Sequence, residues 1–294
     1  MNDFKHLHPI ISFSYFFCVI LFSFMMKHPL YLLVICLTTL CLHKLLDGGK
    51  ALKKSVFYYA LLSLFVMILN PIFSSRGATI LGYVFDHQVT LESIVYGVLL
   101  AVALFNVLIL FKAYELVITP EKFLYLFGTM LPKLTFMIHV SIRFVPVFQR
   151  RLKEIMDIQK TQGAFQQDTT RRQKMKEGME TLRTLITWSL ESSLQTASSM
   201  RARGYGIGKR SSAVHYVMDS RDGLVGICMS FLLVIVMCGY VYGLGTYDPY
   251  PQLQPLHLSA LFLLHLLCFC LFLCIPIFVL LKERLLWHYI RSKM

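Results

Sequence analysis

The chain has 294 residues, 56% of them hydrophobic and only 15% charged, with a formal net charge of +13. A soluble domain carries roughly 25% charged residues, so the composition excludes an ordinary water-soluble enzyme or binding module. The eight cysteines lie in apolar stretches, where a free thiol packs as a small hydrophobe, and this argues against a disulfide scaffold.

A membrane-spanning helix needs about 20 mostly apolar residues, and the apolar residues come in blocks of that length. The first block runs from Ile10 to Met26 and the second from Pro29 to about Leu46. Only Lys27 and His28 separate them, so the pair reads either as a tight hairpin or as one span with a re-entrant segment. The first block lacks a small-residue cleavage site and is soon followed by another, so it does not read as a signal peptide. Asp47 to Lys54 is a basic loop punctuated by Gly48 and Gly49. The third block, Ser55 to Phe73, carries Asn70-Pro71 near its end, read as a kink because proline is tolerated in spanning helices. A loop from Ser74 to Thr90 leads to the fourth block, Leu91 to Phe111.

From Lys112 to Gln149 the texture is mixed, and Pro120, Pro132 and Pro146 are expected to divide it into short helical pieces. The apolar piece Leu134–Val145 contains His139 and Arg143. It reads as an interfacial or bundle-buried helix with Arg143 facing a protein interior. Residues 150–222 hold 14 of the 29 Lys and Arg residues. Their apolar residues recur at helical spacing, as Leu152, Ile155, Met156 and Ile158, then Met179, Leu182, Ile186, Leu190, Leu194 and Ala197. Such stripes predict two amphipathic helices, with the polar stretch Gln166–Lys176 between them. Gly204, Gly206 and Gly208 predict an abrupt helix end. Two further blocks, Gly223–Leu244 and Leu256–Leu281, flank a loop with Asp248, Pro249, Pro251 and Pro255. A basic tail begins at Lys282.

The expected fold is therefore all-α: a polytopic helical membrane protein of about six spans with long amphipathic cytoplasmic helices. Residues 1–111 are the N-terminal membrane helices, 112–222 the interfacial and cytoplasmic helical region, and 223–294 the C-terminal membrane helices and tail. Lys and Arg concentrate on the cytoplasmic side of membrane proteins. That rule puts segments 44–54, 112–222 and 282–294 inside, loops 74–90 and 245–255 outside, and both termini in the cytoplasm. The topology accounts for the positive charge without a nucleic-acid partner.

The stretch most informative about function is Thr187-Trp188-Ser189-Leu190-Glu191 followed by Thr196 to Gly206. It describes a helix ending in Ala202-Arg203-Gly204. A small residue before the arginine permits close approach by a partner, and a guanidinium presents five donors in a fixed fork. By pattern alone, the same residues also suit a basic juxtamembrane segment on anionic headgroups. Two other clusters fit blander readings. Asp86, His87 and Glu92 have metal-ligand chemistry but no ligand spacing, and suit solvent-facing loop and helix-start positions. Cys268, Cys270 and Cys274 suit packing at lipid depth better than a metal site.

Together these residues resemble the transmembrane coupling component of energy-coupling factor transporters, the group that includes the cobalt-importer membrane subunit. The resemblance is carried by Thr187–Glu191 and Arg201–Lys209, by Asn70–Gly77, by Thr90–Gly97 and by Arg143-Phe144-Val145-Pro146, over roughly residues 70–222. It implies two long coupling helices whose Ala-Arg-Gly-like ends dock into two ABC-type ATPase subunits. It also implies a separate small membrane protein that binds the vitamin or metal ion. The second docking motif maps onto Ala202, Arg203 and Gly204. The first maps onto Thr161, Gln162 and Gly163, where glutamine replaces arginine, so the two docking points are expected to be unequal. No cofactor, resident metal or catalytic residue is expected in this chain. It has no Gly-x-x-x-x-Gly-Lys-Ser/Thr run, and ATP would be bound by the partners. Two alternatives stand beside this reading. One is a permease carrying substrate itself, which the near absence of charge in the spans disfavours. The other is a membrane enzyme built on His139, Glu154 and Asp157, which lack a recognised motif.

Overall fold

Two His-Pro pairs set the start of the chain's first two helices. In the computed structural model, which describes residues 7–48, 52–74, 77–84, 87–128, 130–164, 170–208, 216–250 and 259–293, the elements in order are α1 (Pro9–Met25), α2 (Pro29–Asp47), α3 (Leu52–Phe73), β1 (Ile80–Val84), β2 (His87–Thr90), α4 (Leu91–Val117), α5 (Pro120–Gly128), α6 (Pro132–Thr161), α7 (Arg171–Ala202), α8 (Ser220–Val241) and α9 (Ala260–Lys293). Pro9 and Pro29 occupy first-turn positions, where the ring's fixed φ suits a helix and its missing N–H is no loss. His8 and His28 each accept the N–H two residues on, at 3.3 Å, through Nδ1.

The chain divides into two compact units, residues 1–123 with 216–294, and residues 124–215. In the first unit, α2, α4, α8 and most of α3 and α9 are long and apolar enough to cross a membrane, and α1 is a shorter apolar helix of 17 residues. The protein is a multi-pass membrane protein in architecture, of the all-α class with one short hairpin. The doubtful first pair resolves into two full helices joined by Met26-Lys27-His28. α1 packs on α4 and α8, and α2 packs on α4 and α9. α9 runs on as helix through the expected tail to Lys293.

The core of this unit is aromatic. Phe22 meets Phe269 edge-on at 5.6 Å between ring centroids, and Tyr15 stacks on Phe272 at 5.8 Å. Buried polar ties cross between helices. The Tyr15 hydroxyl donates to Leu273 O at 2.9 Å, and Asn106 Nδ2 donates to Leu32 O at 2.9 Å. The Tyr31 hydroxyl meets His265 Nδ1 at 2.5 Å, while His265 Nε2 reaches Val236 O at 3.1 Å. This last chain fastens α2, α8 and α9 together. It fits only because residue 239 is glycine: a Cβ there would lie 2.1 Å from His265 Cδ2. Interhelical bonds of this kind are each worth about 0.6 kcal/mol, with a maximum near 1.7.

Within the expected loop 74–90, strands β1 and β2 are paired. They form a short antiparallel hairpin, with Tyr83 opposite Gln88 and an irregularity between Ile80 and Gly82. Glu92 departs from expectation, being 1% exposed and not solvent-facing. Its carboxylate accepts the Thr79 hydroxyl at 2.9 Å and the Thr79 N–H at 3.2 Å. Thr90 and Ser93 close a capping box at the same helix start. Gly77 lies so close that a Cβ would fall 2.5 Å from Thr90 Oγ1 and 2.6 Å from Glu92 Oε2. Thus Asn70, Pro71 and Gly77 pack against Thr90, Glu92 and Gly97, and residues apart in sequence form one corner. Asp86 lies outside the described residues, and Glu92 is fully engaged by Thr79.

Candidate coupling tips

In the second unit α6 and α7 lie against each other and run antiparallel. The pairing is read from matched contacts. Phe136 stacks on Tyr205 at 5.1 Å, and Phe148 meets Trp188 edge-on at 6.0 Å. The Arg151 guanidinium stands 5.2 Å from the Trp188 ring centroid, and the Thr181 hydroxyl bonds the Gln159 side chain. As residue numbers fall along α6, their partners rise along α7.

α6 is continuous from Pro132 through Pro146 to Thr161, which corrects the expected break at Pro146. Proline frees the carbonyl four residues earlier, here that of Ile142. Residues 141–143 are exposed, so no buried acceptor is stranded. Arg143 is exposed too, which corrects its expected place in a protein interior. His139 is exposed and lies about 22 Å along the helix from Glu154. Glu154 pairs with Arg151 at 2.8 Å, and Asp157 with Lys160 at 3.5 Å. The imagined acid–base cluster is therefore not assembled.

Both helices end the same way. At the end of α7, the Gly204 N–H donates to Arg201 O at 2.9 Å and the Tyr205 N–H to Met200 O at 3.0 Å. At the end of α6, the Gly163 N–H donates to Lys160 O at 3.0 Å and the Ala164 N–H to Gln159 O at 2.9 Å. These two bonds define a Schellman closure, which needs a left-handed residue just past the cap. Gly163 has φ 90° and Gly204 has φ 79°, a region costing other residues roughly 1–2 kcal/mol. Gln162 and Arg203 thus hold the same C-cap position in one motif, which also closes α8, where Tyr242 is the cap and Gly243 has φ 81°. Thr161 completes the first copy, its hydroxyl bonded to Ile158 O at 2.6 Å, and Ala202 is the last helical residue of the second.

The side chains at the two caps are exposed. Among the described residues, neither the Arg203 guanidinium nor the Gln162 carboxamide meets a hydrogen-bond or ion-pair partner. A cation at a helix C-terminus also complements the helix dipole. Because the helices are antiparallel, the tips sit at opposite ends of the pair. Arg203 lies 22 residues beyond Thr181, which marks the Gln159 end, so the separation is about 33 Å or slightly more at 1.5 Å per residue.

α7 shows two faces. Thr181 and Trp188 turn toward α6, while Met179, Leu182, Ile186, Leu190 and Leu194 of the expected stripe are exposed. The stripe is therefore not spent on packing within this unit. The fasteners Phe136–Tyr205 and Arg151–Trp188 were not visible in the sequence. The only signal was that Trp188 interrupts a polar stretch of a helix otherwise striped with aliphatic residues, and that Tyr205 stands among glycines just past its end.

A comparison with curated proteins gave no match. The family model for CbiQ, described as cobalt transport protein, matches residues 4–216, well over half the chain and including both tips. The chain belongs to the CbiQ cobalt transport protein family.

Proposed function

We propose that the protein is the membrane-embedded coupling subunit of an ATP-driven importer of a vitamin or metal ion. In this reading two ABC-type ATPase subunits dock on the tips at Arg203 and Gln162. A separate small membrane protein binds the substrate, cobalt being the first candidate from the family's description. The observation that carries the reading is the repeat of one exposed Schellman tip at both ends of the α6–α7 pair. Two similar tips, without side-chain partners among the described residues and about 33 Å apart, suit two similar partners better than one.

The antiparallel pair then works as a lever. Phe136–Tyr205, Arg151–Trp188 and Gln159–Thr181 fasten it along its length, so a displacement applied at one tip is carried to the other. ATPase closure would move the tips, and α6 and α7 would pass that movement to the substrate-binding partner. The chain performs no chemistry of its own in this scheme. The tips and both termini are assigned to the cytoplasm by the lysine and arginine bias.

Affinity purification of the tagged chain in mild detergent tests the proposal, with the co-purifying chains identified. The expected result is ABC-type ATPase subunits together with one small polytopic protein. Recovery of the chain alone from membranes that accumulate the substrate would refute it.

A further inference from the structure

A cavity of about 310 Å³ opens where α1, α2, α3 and α4 come together. Phe24, Leu32, Val66 and Leu104 supply a wall from each helix. Small-ligand sites begin at about this size, roughly 300 Å³, and combine an apolar lining with a few placed polar groups. Here the polar groups are few and gathered. The Ser23 hydroxyl is already spent on Val19 O at 2.9 Å. What remains is Lys27, the only charged lining residue among the described residues and an exposed one, with Tyr96 and Tyr247.

These three residues belong to one end of the helix bundle. The His28 N–H donates to Gly245 O at 3.1 Å, the Ser74 and Tyr250 hydroxyls are 3.2 Å apart, and Tyr96 and Tyr250 rings lie 5.4 Å apart. The connections leaving α1, α3 and α8 therefore meet there, at His28, Ser74, Gly245 and Tyr250. In sequence they contain only two Lys or Arg residues, Lys27 and Arg76. Tyrosines gathered at helix ends mark the membrane–water boundary. Asp248, next to Tyr247, is exposed and lines no part of the cavity.

A polar solute would leave its hydrogen-bonding groups unpaired against such walls, which is unfavourable. An acyl chain has none to lose, and a phosphate at its head would meet Lys27 at the boundary. We propose that this cavity is a site for one acyl chain of an anionic phospholipid, whose phosphate is held by Lys27 with Tyr96 and Tyr247 beside it.

The full chain, purified in mild detergent and equilibrated with mixed micelles of equal phosphatidylglycerol and phosphatidylcholine, tests this by native mass spectrometry. The expected result is one retained phosphatidylglycerol, preferred roughly fivefold over phosphatidylcholine, the selectivity a single cation near a membrane surface provides. Lys27→Glu changes an exposed residue, so the fold is kept, and it should abolish the preference. Ala103→Trp places an indole in the cavity and should remove the lipid while elution volume and helix content stay unchanged. The proposal is overturned by a wild-type chain that retains no phospholipid. Equal retention of the two lipids by wild type, or a preference unchanged in Lys27→Glu, overturns it as well. So does a photo-reactive residue at position 103 that captures a protein chain in place of lipid.

Discussion

Replacing Arg203 with alanine separates a docking tip from a lipid contact. The guanidinium is exposed and has no ion-pair partner among the described residues. Truncation therefore costs the isolated chain no more than its dipole interaction, about 0.3–1 kcal/mol, and the variant should express and fold. Inside a partner's groove the same group is desolvated and hydrogen-bonded. Removing one side of such a pair costs about 2–5 kcal/mol, a thirtyfold to several-thousandfold loss of affinity. Arg203→Lys keeps the charge but loses the fork of donors, so it should restore binding only in part. Arg201 is the internal control, since it precedes Arg203 by two residues and points about 200° away around the helix. The assay is a pull-down of the ATPases by each variant at matched expression, read alongside uptake and ATP hydrolysis. Headgroup contact instead predicts losses of about 1 kcal/mol at either arginine. Equal, small losses for Arg201→Ala and Arg203→Ala would refute the docking assignment.

At the other tip, Gln162→Ala should weaken ATPase pull-down by about 0.5–1.5 kcal/mol, the net worth of a neutral hydrogen bond; complete failure to assemble would overturn the inequality of the tips. Gly239→Ala forces a methyl group to within 2.1 Å of His265, and should destabilise the detergent-solubilised protein by about 1–3 kcal/mol. Gly226→Ala is its control in the same thermal-unfolding assay, because a Cβ there would sit in ordinary contact, 3.7 Å from Ile11 Cδ1. Glu92→Leu strands the Thr79 N–H and hydroxyl, and should cost about 1–3 kcal/mol, seen as faster proteolysis of the segment before α4.

Much of the fold could be read from residue patterns because the dominant constraints are one-dimensional. Block length and the position of Lys and Arg locate the membrane helices. A 3.6-residue stripe and a closing glycine locate α7 and its end. The features that escaped depend on what meets what. The stripe from Met179 to Leu194 reveals an apolar face, but not that Thr181 and Trp188 take the contact with α6 and leave the stripe uncovered. Pro146 carries the right local signal for a break. Its cost depends on whether the freed carbonyl of Ile142 is exposed, and that is a property of the folded surface. Glu92 looked like a solvent-facing helix start because nothing nearby in sequence covers it. Thr79 and Gly77 do so from across the hairpin. The equivalence of the tips lay between these cases. Thr161-Gln162-Gly163 and Ala202-Arg203-Gly204 share only the glycine, and the shared cap geometry appears only once both backbones are compared.

The central claim is that both tips touch ATPases at once. A photo-reactive amino acid placed in turn at positions 162 and 203, and at the exposed stripe residue Leu190 as a comparison, tests it in intact membranes. The account predicts that both tip positions cross-link to ABC-type ATPase subunits, and that both cross-links form within a single complex containing two ATPase chains. Capture of lipid alone at position 203, or of ATPase equally at position 190 and at neither tip, would contradict it.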